Sequence, residues 1–152
     1  MSQVSDRLRE AGFELPQAPA ALGMYVPAVR SGALVLTSGQ LPTVAGKLFT
    51  AGRVGDAVTP EVAARCAAIA ALNALAAAST VCDLDEVECV VRLGGFVASA
   101  PGFTGQPAVL NGASEVLVAA FGEAGRHARC AVGVAELPLG SPVEVELTLQ
   151  LR

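Results

Sequence analysis

The chain has 152 residues, 53% of them apolar and 16% charged, a balance that excludes disorder and suits one globular domain burying its own core. Formal net charge is −4, and among the scattered basic residues only Arg126 and Arg129 sit close together, so the sequence offers no basic patch for a nucleic-acid backbone. Cys66, Cys82, Cys89 and Cys130 show no Cys-x-x-Cys spacing and His127 is the single histidine, which excludes a legible zinc site or disulfide framework and leaves four small apolar side chains.

In chain order, residues 4–12 read as a short helix with Val4, Leu8 and Ala11 near one face and Gly12 as its stop. Pro16 and Pro19 mark an extended linker over residues 13–22. Met24–Arg30 and Ala33–Ser38 read as strands joined by the turn signal Ser31-Gly32, the second apolar enough for burial on both faces. Residues 41–58 form a loop with a short strand near Lys47–Phe49. Thr59-Pro60-Glu61 then supplies a cap, a first-turn proline and an acid for the positive end of a helix running to about Ser79. A third main strand covers Val87–Val97, and a second long helix runs from Gln106 to Phe121. Its buried face is Val109, Ala113, Val116, Leu117 and Ala120, and Gly122 ends it. Ala128–Glu136 and Pro142–Leu151 close the chain as strands. The last alternates without exception, valines and leucines on one face, Glu144, Glu146, Thr148 and Gln150 on the other.

The order β-β-α-β-α-β-β predicts a single α+β domain over residues 1–152, with two main helices on one face of a mixed sheet. The start of the chain is polar, and no uninterrupted run reaches the ~18 apolar residues of a spanning helix. No export signal is visible, and the expected setting is cytoplasmic, away from membranes. So little surface charge is a hint of homo-oligomerisation.

Several segments carry a resemblance. Leu36-Thr37-Ser38-Gly39-Gln40-Leu41-Pro42 is one, and Ala18-Pro19-Ala20-Ala21-Leu22-Gly23-Met24-Tyr25-Val26 is a second. Gly95-Phe96-Val97 followed by Phe103 is a third. The fourth is Ala128-Arg129-Cys130-Ala131-Val132, then Leu137-Pro138, then Val143-Glu144-Val145-Glu146. In this order and spacing they resemble the RidA/YjgF family of reactive-intermediate deaminases, also described as endoribonuclease L-PSP-like. The likeness spans residues 18–152 and leaves 1–17 as an N-terminal extension.

The resemblance implies a chorismate-mutase-like homotrimer with three clefts between subunits. Each cleft would take a small 2-imino or 2-oxo carboxylate and hydrolyse enamines or imines to 2-oxo acids and ammonia, without cofactor or metal. It places Arg129 on the substrate carboxylate, as a planar and permanently charged fork. It places Glu144 beside the catalytic water. Tyr25, Ser38, Gly39 and Asn111 would line the cleft. The bland counterparts are an arginine in an ordinary salt bridge, the solvated glutamates of an edge strand, and a half-buried tyrosine. Ala131 stands where relatives commonly carry cysteine, and Gly133 where many carry a larger polar residue, changes expected to widen or depolarise the cleft. Two alternatives follow: a non-catalytic carboxylate-binding or sensing module of the same fold, and a ribonuclease or translation inhibitor. The acidic balance and the lack of a histidine pair argue against the last.

Overall fold

The structure, a computed structural model, describes residues 2–21 and 23–152, so Met1 and Leu22 lie outside the account. Helix α1 spans Gln3–Glu10, α2 Pro60–Ala78 and α3 Gln106–Phe121. Strands β1 (Ala28–Ser31), β2 (Leu34–Thr37), β5 (Val87–Ala98), β6 (Ala128–Val134) and β7 (Val143–Leu151) form one sheet in the order β1-β2-β7-β5-β6. A separate two-stranded hairpin, β3 (Thr43–Val44) and β4 (Lys47–Leu48), interrupts the expected loop. β5 and β6 run parallel and the other pairs antiparallel, so the sheet is mixed as expected.

The alternation of β7 sorts the sheet's two faces. Val143, Val145, Leu147, Leu149 and Leu151 are buried under the helices. Glu144 and Glu146 lie on the opposite face, level with Phe96 and Gly94 of β5. Those in turn stand beside Val132 and Cys130 of β6. β7 sits in the middle of the sheet, not at its edge, so its glutamates are not an edge strand's fringe.

β2 differs from its expectation in an informative way. Val35 and Thr37 are buried, but Leu34 and Leu36 are 39% and 40% exposed. With Val29, Val91 and Val132 they leave the helix-free face of the sheet apolar and uncovered in the single chain. The strand expected at Met24–Arg30 begins only at Ala28. Met24 to Val26 precede it as an exposed segment, held where the Ser38 hydroxyl donates to the Val26 carbonyl (2.6 Å) and the Ser38 amide to the Pro27 carbonyl (2.8 Å).

α2 begins as its sequence predicts: Thr59 accepts from the Val62 amide at 3.2 Å and Pro60 opens the helix. Its buried face is alanine. Ala63, Ala67, Ala70, Ala71, Ala74 and Leu75 are inaccessible, whereas Val62 sits at the margin. Small side chains let helices approach closely. At Gly112 of α3 even a Cβ would overlap the Ala64 carbonyl of α2. By length and composition α2 could cross a membrane, but 61% of that window is buried inside the fold, as in a globular domain's core helix.

Helix α1 is part of this core. Val4 and Leu8 of α1 are buried, at roughly 1.5–3 kcal/mol for a large apolar side chain. Asp85 accepts from the amides of Gln3 (2.9 Å) and Val4 (3.0 Å) and from the Ser2 hydroxyl (2.8 Å). The two amides are donors that a helix start leaves without partners.

Candidate functional site

Arg129 lies on β6 with its side chain on the helix face, because its register partner, Leu93, is a buried residue of that face. Its guanidinium meets the first turns of α3. Nη1 donates to Asn111 Oδ1 (2.8 Å) and to Ser114 Oγ (3.1 Å), and Nη2 donates to the Pro107 carbonyl (3.3 Å). Three N–H bonds of the five are thus committed to neutral oxygens, leaving Nε–H and one Nη2–H. Among the described residues no carboxylate pairs with it. The ordinary salt-bridge alternative is therefore not what the fold builds. A recess of about 460 Å³ lined by Asn111, Ser114, Glu115, Val118 and Ala119 adjoins this cluster.

Ser114 and His127 are members that motif reading passed over. The Ser114 hydroxyl lies 3.0 Å from His127 Nε2, and His127 Nδ1 lies 2.6 Å from the Gly125 carbonyl. Ser114 was within reach of the sequence, since it follows Asn111 by three positions on one helix and shares its face. Gln106 is another omission. The space beside Gly133 is not open, because a Cβ there would stand 2.8 Å from Gln106 Nε2. Gln106 donates to Ser99 Oγ (3.1 Å) and the Phe103 carbonyl (2.9 Å). The expectation that Gly133 widens or depolarises the wall is corrected: an amide from α3 fills the place of the missing side chain. Ala131, on the same face as Arg129, packs against the core.

The second group of residues lies on the other face of the sheet. Glu144 is half-buried, and burial first, then repulsion from Glu146, raises its carboxyl above the usual range. A side chain at Gly39 would overlap the Glu144 carboxylate, so glycine there is a condition of this close approach. Paired backbone bonds between Gln40 and Val145 (2.8 and 3.0 Å) hold the Gly39 segment against β7. The Ser38 hydroxyl is committed to the Val26 carbonyl, and so ties down the segment bearing Tyr25, a residue 52% exposed.

The six residues expected to share a cleft therefore fall into two sets. Arg129 and Asn111 occupy the helix side of the β6 edge. Glu144, Gly39, Ser38 and Tyr25 belong to the opposite face and the loops bordering it. Residues of opposite faces cannot meet across one sheet.

The cysteines are free. Burial pushes the Cys66 thiol up to about 11 against the neighbouring Arg65 charge, and burial raises Cys82 as well. Among the described residues no group of three or more histidine, cysteine or acidic side chains is placed to hold a metal.

A mixed sheet covered on one face by two long helices, with an arginine lined by neutral oxygens on its edge strand, defines the class: a chorismate-mutase-like α+β domain. The model of the YjgF/chorismate-mutase-like family, which carries a suggested endoribonuclease activity in its description, matches residues 5–151, and the chain belongs to that family. It is 44% identical over 155 residues to Protein TCP17 of Trypanosoma cruzi, covering 99% of this chain and 95% of that protein. A Shewanella oneidensis crystal structure, described as a suggested endoribonuclease, superposes with a TM-score of 0.93 at 37% identity, covering 97% of this chain and 99% of its own. The E. coli protein TdcF, solved with bound serine, is more distant: 26% identity, TM-score 0.60, 90% of this chain and 94% of that one. The family match begins at residue 5, so most of α1 lies within it.

Proposed function

We propose that the protein hydrolyses small 2-imino acids, the tautomers of enamines, to 2-oxo acids and ammonia in clefts between the subunits of a homotrimer. The observation that carries this reading is Arg129: a cation held by neutral oxygens, with two N–H donors left over and no carboxylate partner among the described residues. That is the donor set a ligand carboxylate completes, at roughly 1.5–3 kcal/mol per charge-assisted bond. TdcF was solved with serine, a small carboxylate of the same size class.

In this reading Arg129 and the Asn111 amide orient the carboxylate, and Glu144 from the neighbouring subunit faces C2. Water adds to the C=N carbon while Glu144 takes its proton. Glu144 returns that proton to the imine nitrogen to complete the carbinolamine, then takes the hydroxyl proton and hands it to the nitrogen as C=O forms and the C–N bond breaks, so one imine and one water yield one 2-oxo acid and one ammonia. The raised Glu144 carboxyl suits a group that must accept a proton from water and return it. The two sets of residues join only when a second copy lays its β6 edge on the open sheet face, and the apolar side chains exposed there favour such burial.

The test is ammonia release from freshly generated 2-iminopropionate. Arg129→Lys keeps the charge and loses the fork, so its rate should fall about tenfold or more. If a folded wild-type trimer does not accelerate release, the deaminase reading fails. The second reading, a carboxylate-binding module without turnover, is favoured by the same Arg129 geometry and then takes its place.

A further inference from the structure

His127 takes no part in water attack, yet it is wired to the arginine that does the binding. The wiring has one consistent assignment. The Gly125 carbonyl only accepts, so His127 Nδ1 carries a proton (2.6 Å). In the neutral ring Nε2 is then an acceptor, and the Ser114 hydroxyl donates to it (3.0 Å). That leaves a Ser114 lone pair for Arg129 Nη1 (3.1 Å). Donation runs in one direction, from Arg129 to Ser114 to His127 to Gly125, and the serine proton points away from the recess.

Protonating the ring reverses the middle bond. Nε2–H now donates to Ser114 Oγ, both serine lone pairs are used, and the hydroxyl proton must turn outward, toward the recess that Asn111 and Ser114 line. We propose that His127 is a positioning residue for Arg129, acting through Ser114, and that its protonation strengthens carboxylate capture by adding an outward donor and a second positive charge. This rests on the reading of Arg129 as the carboxylate's partner.

Other charges near this chain lie on the surface. Glu115 neighbours Ser114 on α3 and borders the recess, and Glu123 of the turn after α3 pairs with Arg126 at 3.3 Å, both side chains exposed. Arg92 of β5 is in register with Ala128, and Arg7 of α1 reaches the Ala120 carbonyl of α3 at 3.5 Å. As exposed charges they are screened by salt, so the pH dependence should persist at high ionic strength.

Pyruvate is a suitable probe because its carboxylate stays ionised across the range needed. Its affinity for the wild-type protein would be measured by calorimetry between pH 8 and 5.5, while the His127 ring titration is followed by NMR. Affinity should rise several-fold on acidification, following the ring. Saturating pyruvate should move the His127 midpoint upward, since coupling between two sites is reciprocal. Ser114→Ala and His127→Gln should weaken binding about tenfold at acid pH, the worth of one bond to a charged group, and flatten the profile. Ser114→Thr should restore both, and the slope should survive in Glu144→Gln, where that carboxyl no longer titrates. A His127 midpoint unmoved by pyruvate in the wild type overturns the proposal without any variant. So does wild-type affinity and slope in Ser114→Ala and His127→Gln while Arg129→Ala still loses binding, a result that leaves the carboxylate reading standing. Pyruvate binding that is absent, or indifferent to Arg129→Ala, sinks both.

Discussion

At the residue scale, the two charged members of the site are opposites. Arg129 is solvated by neutral oxygens and keeps its charge for a ligand. Glu144 is pressed against Gly39, near Glu146, in a place that disfavours its charge. A carboxyl whose folded-state pKa is raised binds more protons folded than unfolded. Its contribution to stability therefore falls as pH rises from the ordinary glutamate range through the raised value. Glu144→Gln should raise the melting temperature at pH 7 by on the order of a few degrees, and leave it nearly unchanged below about pH 4. An equal change at both pH values would assign the effect to packing instead of ionisation. The motif singled out Arg129 and Glu144 as candidates. It did not single out Ser114, His127 and Gln106, because their roles depend on which turn of α3 faces β6.

At the scale of elements, α1 shows how local pattern and remote contact divide the work. Val4 and Leu8 at helical spacing and Gly12 as the stop were visible in the chain, and both side chains are buried. The partner that secures the helix start is Asp85, 81 residues from Val4. Its carboxyl is held below the usual range mainly by the Val4 amide, with Gln3, Ser2 and Arg7 adding and burial opposing. A depressed carboxyl stabilises above its unfolded pKa, and that contribution disappears as pH falls through its folded value. Asp85→Asn should cost about 0.5–1 kcal/mol at neutral pH, toward the low end because the carboxylate is partly solvated. The loss should appear as faster amide exchange confined to residues 3–10. Unchanged exchange there would mean that burial of Val4 and Leu8 alone holds α1.

At the scale of the molecule, the division of the candidate site between two sheet faces makes a strong demand. If each cleft takes Arg129 from one copy and Glu144 from its neighbour, Arg129→Ala and Glu144→Ala subunits complement one another. Co-refolding equal amounts of the two inactive variants should restore activity at about one quarter of the sites, by random assembly. Recovery absent in mixed trimers would sink the shared cleft. Leu36→Glu puts a charge on the open apolar face without touching the core beneath Val35. It should leave secondary structure intact, shift sedimentation to the monomer and abolish turnover. A trimer that survives this change would locate the interface elsewhere.

The sequence by itself determined the main helices, the order of the main strands and the buried faces of α3 and β7, because caps, stops and the two hydrophobic periods are local properties of the chain. α3 matches its expected span from Gln106 to Phe121, and the alternation of β7 sorts the sheet's two faces. Leu34 and Leu36 were read as buried because an apolar strand carries no mark distinguishing a core face from an uncovered one. Only the tertiary structure decided that, as it decided that the Gln106 amide fills the space beside Gly133 and that Ser114 joins Arg129 to His127. Those relations depend on the crossing of distant elements, and side-chain packing in three dimensions has no period along the chain.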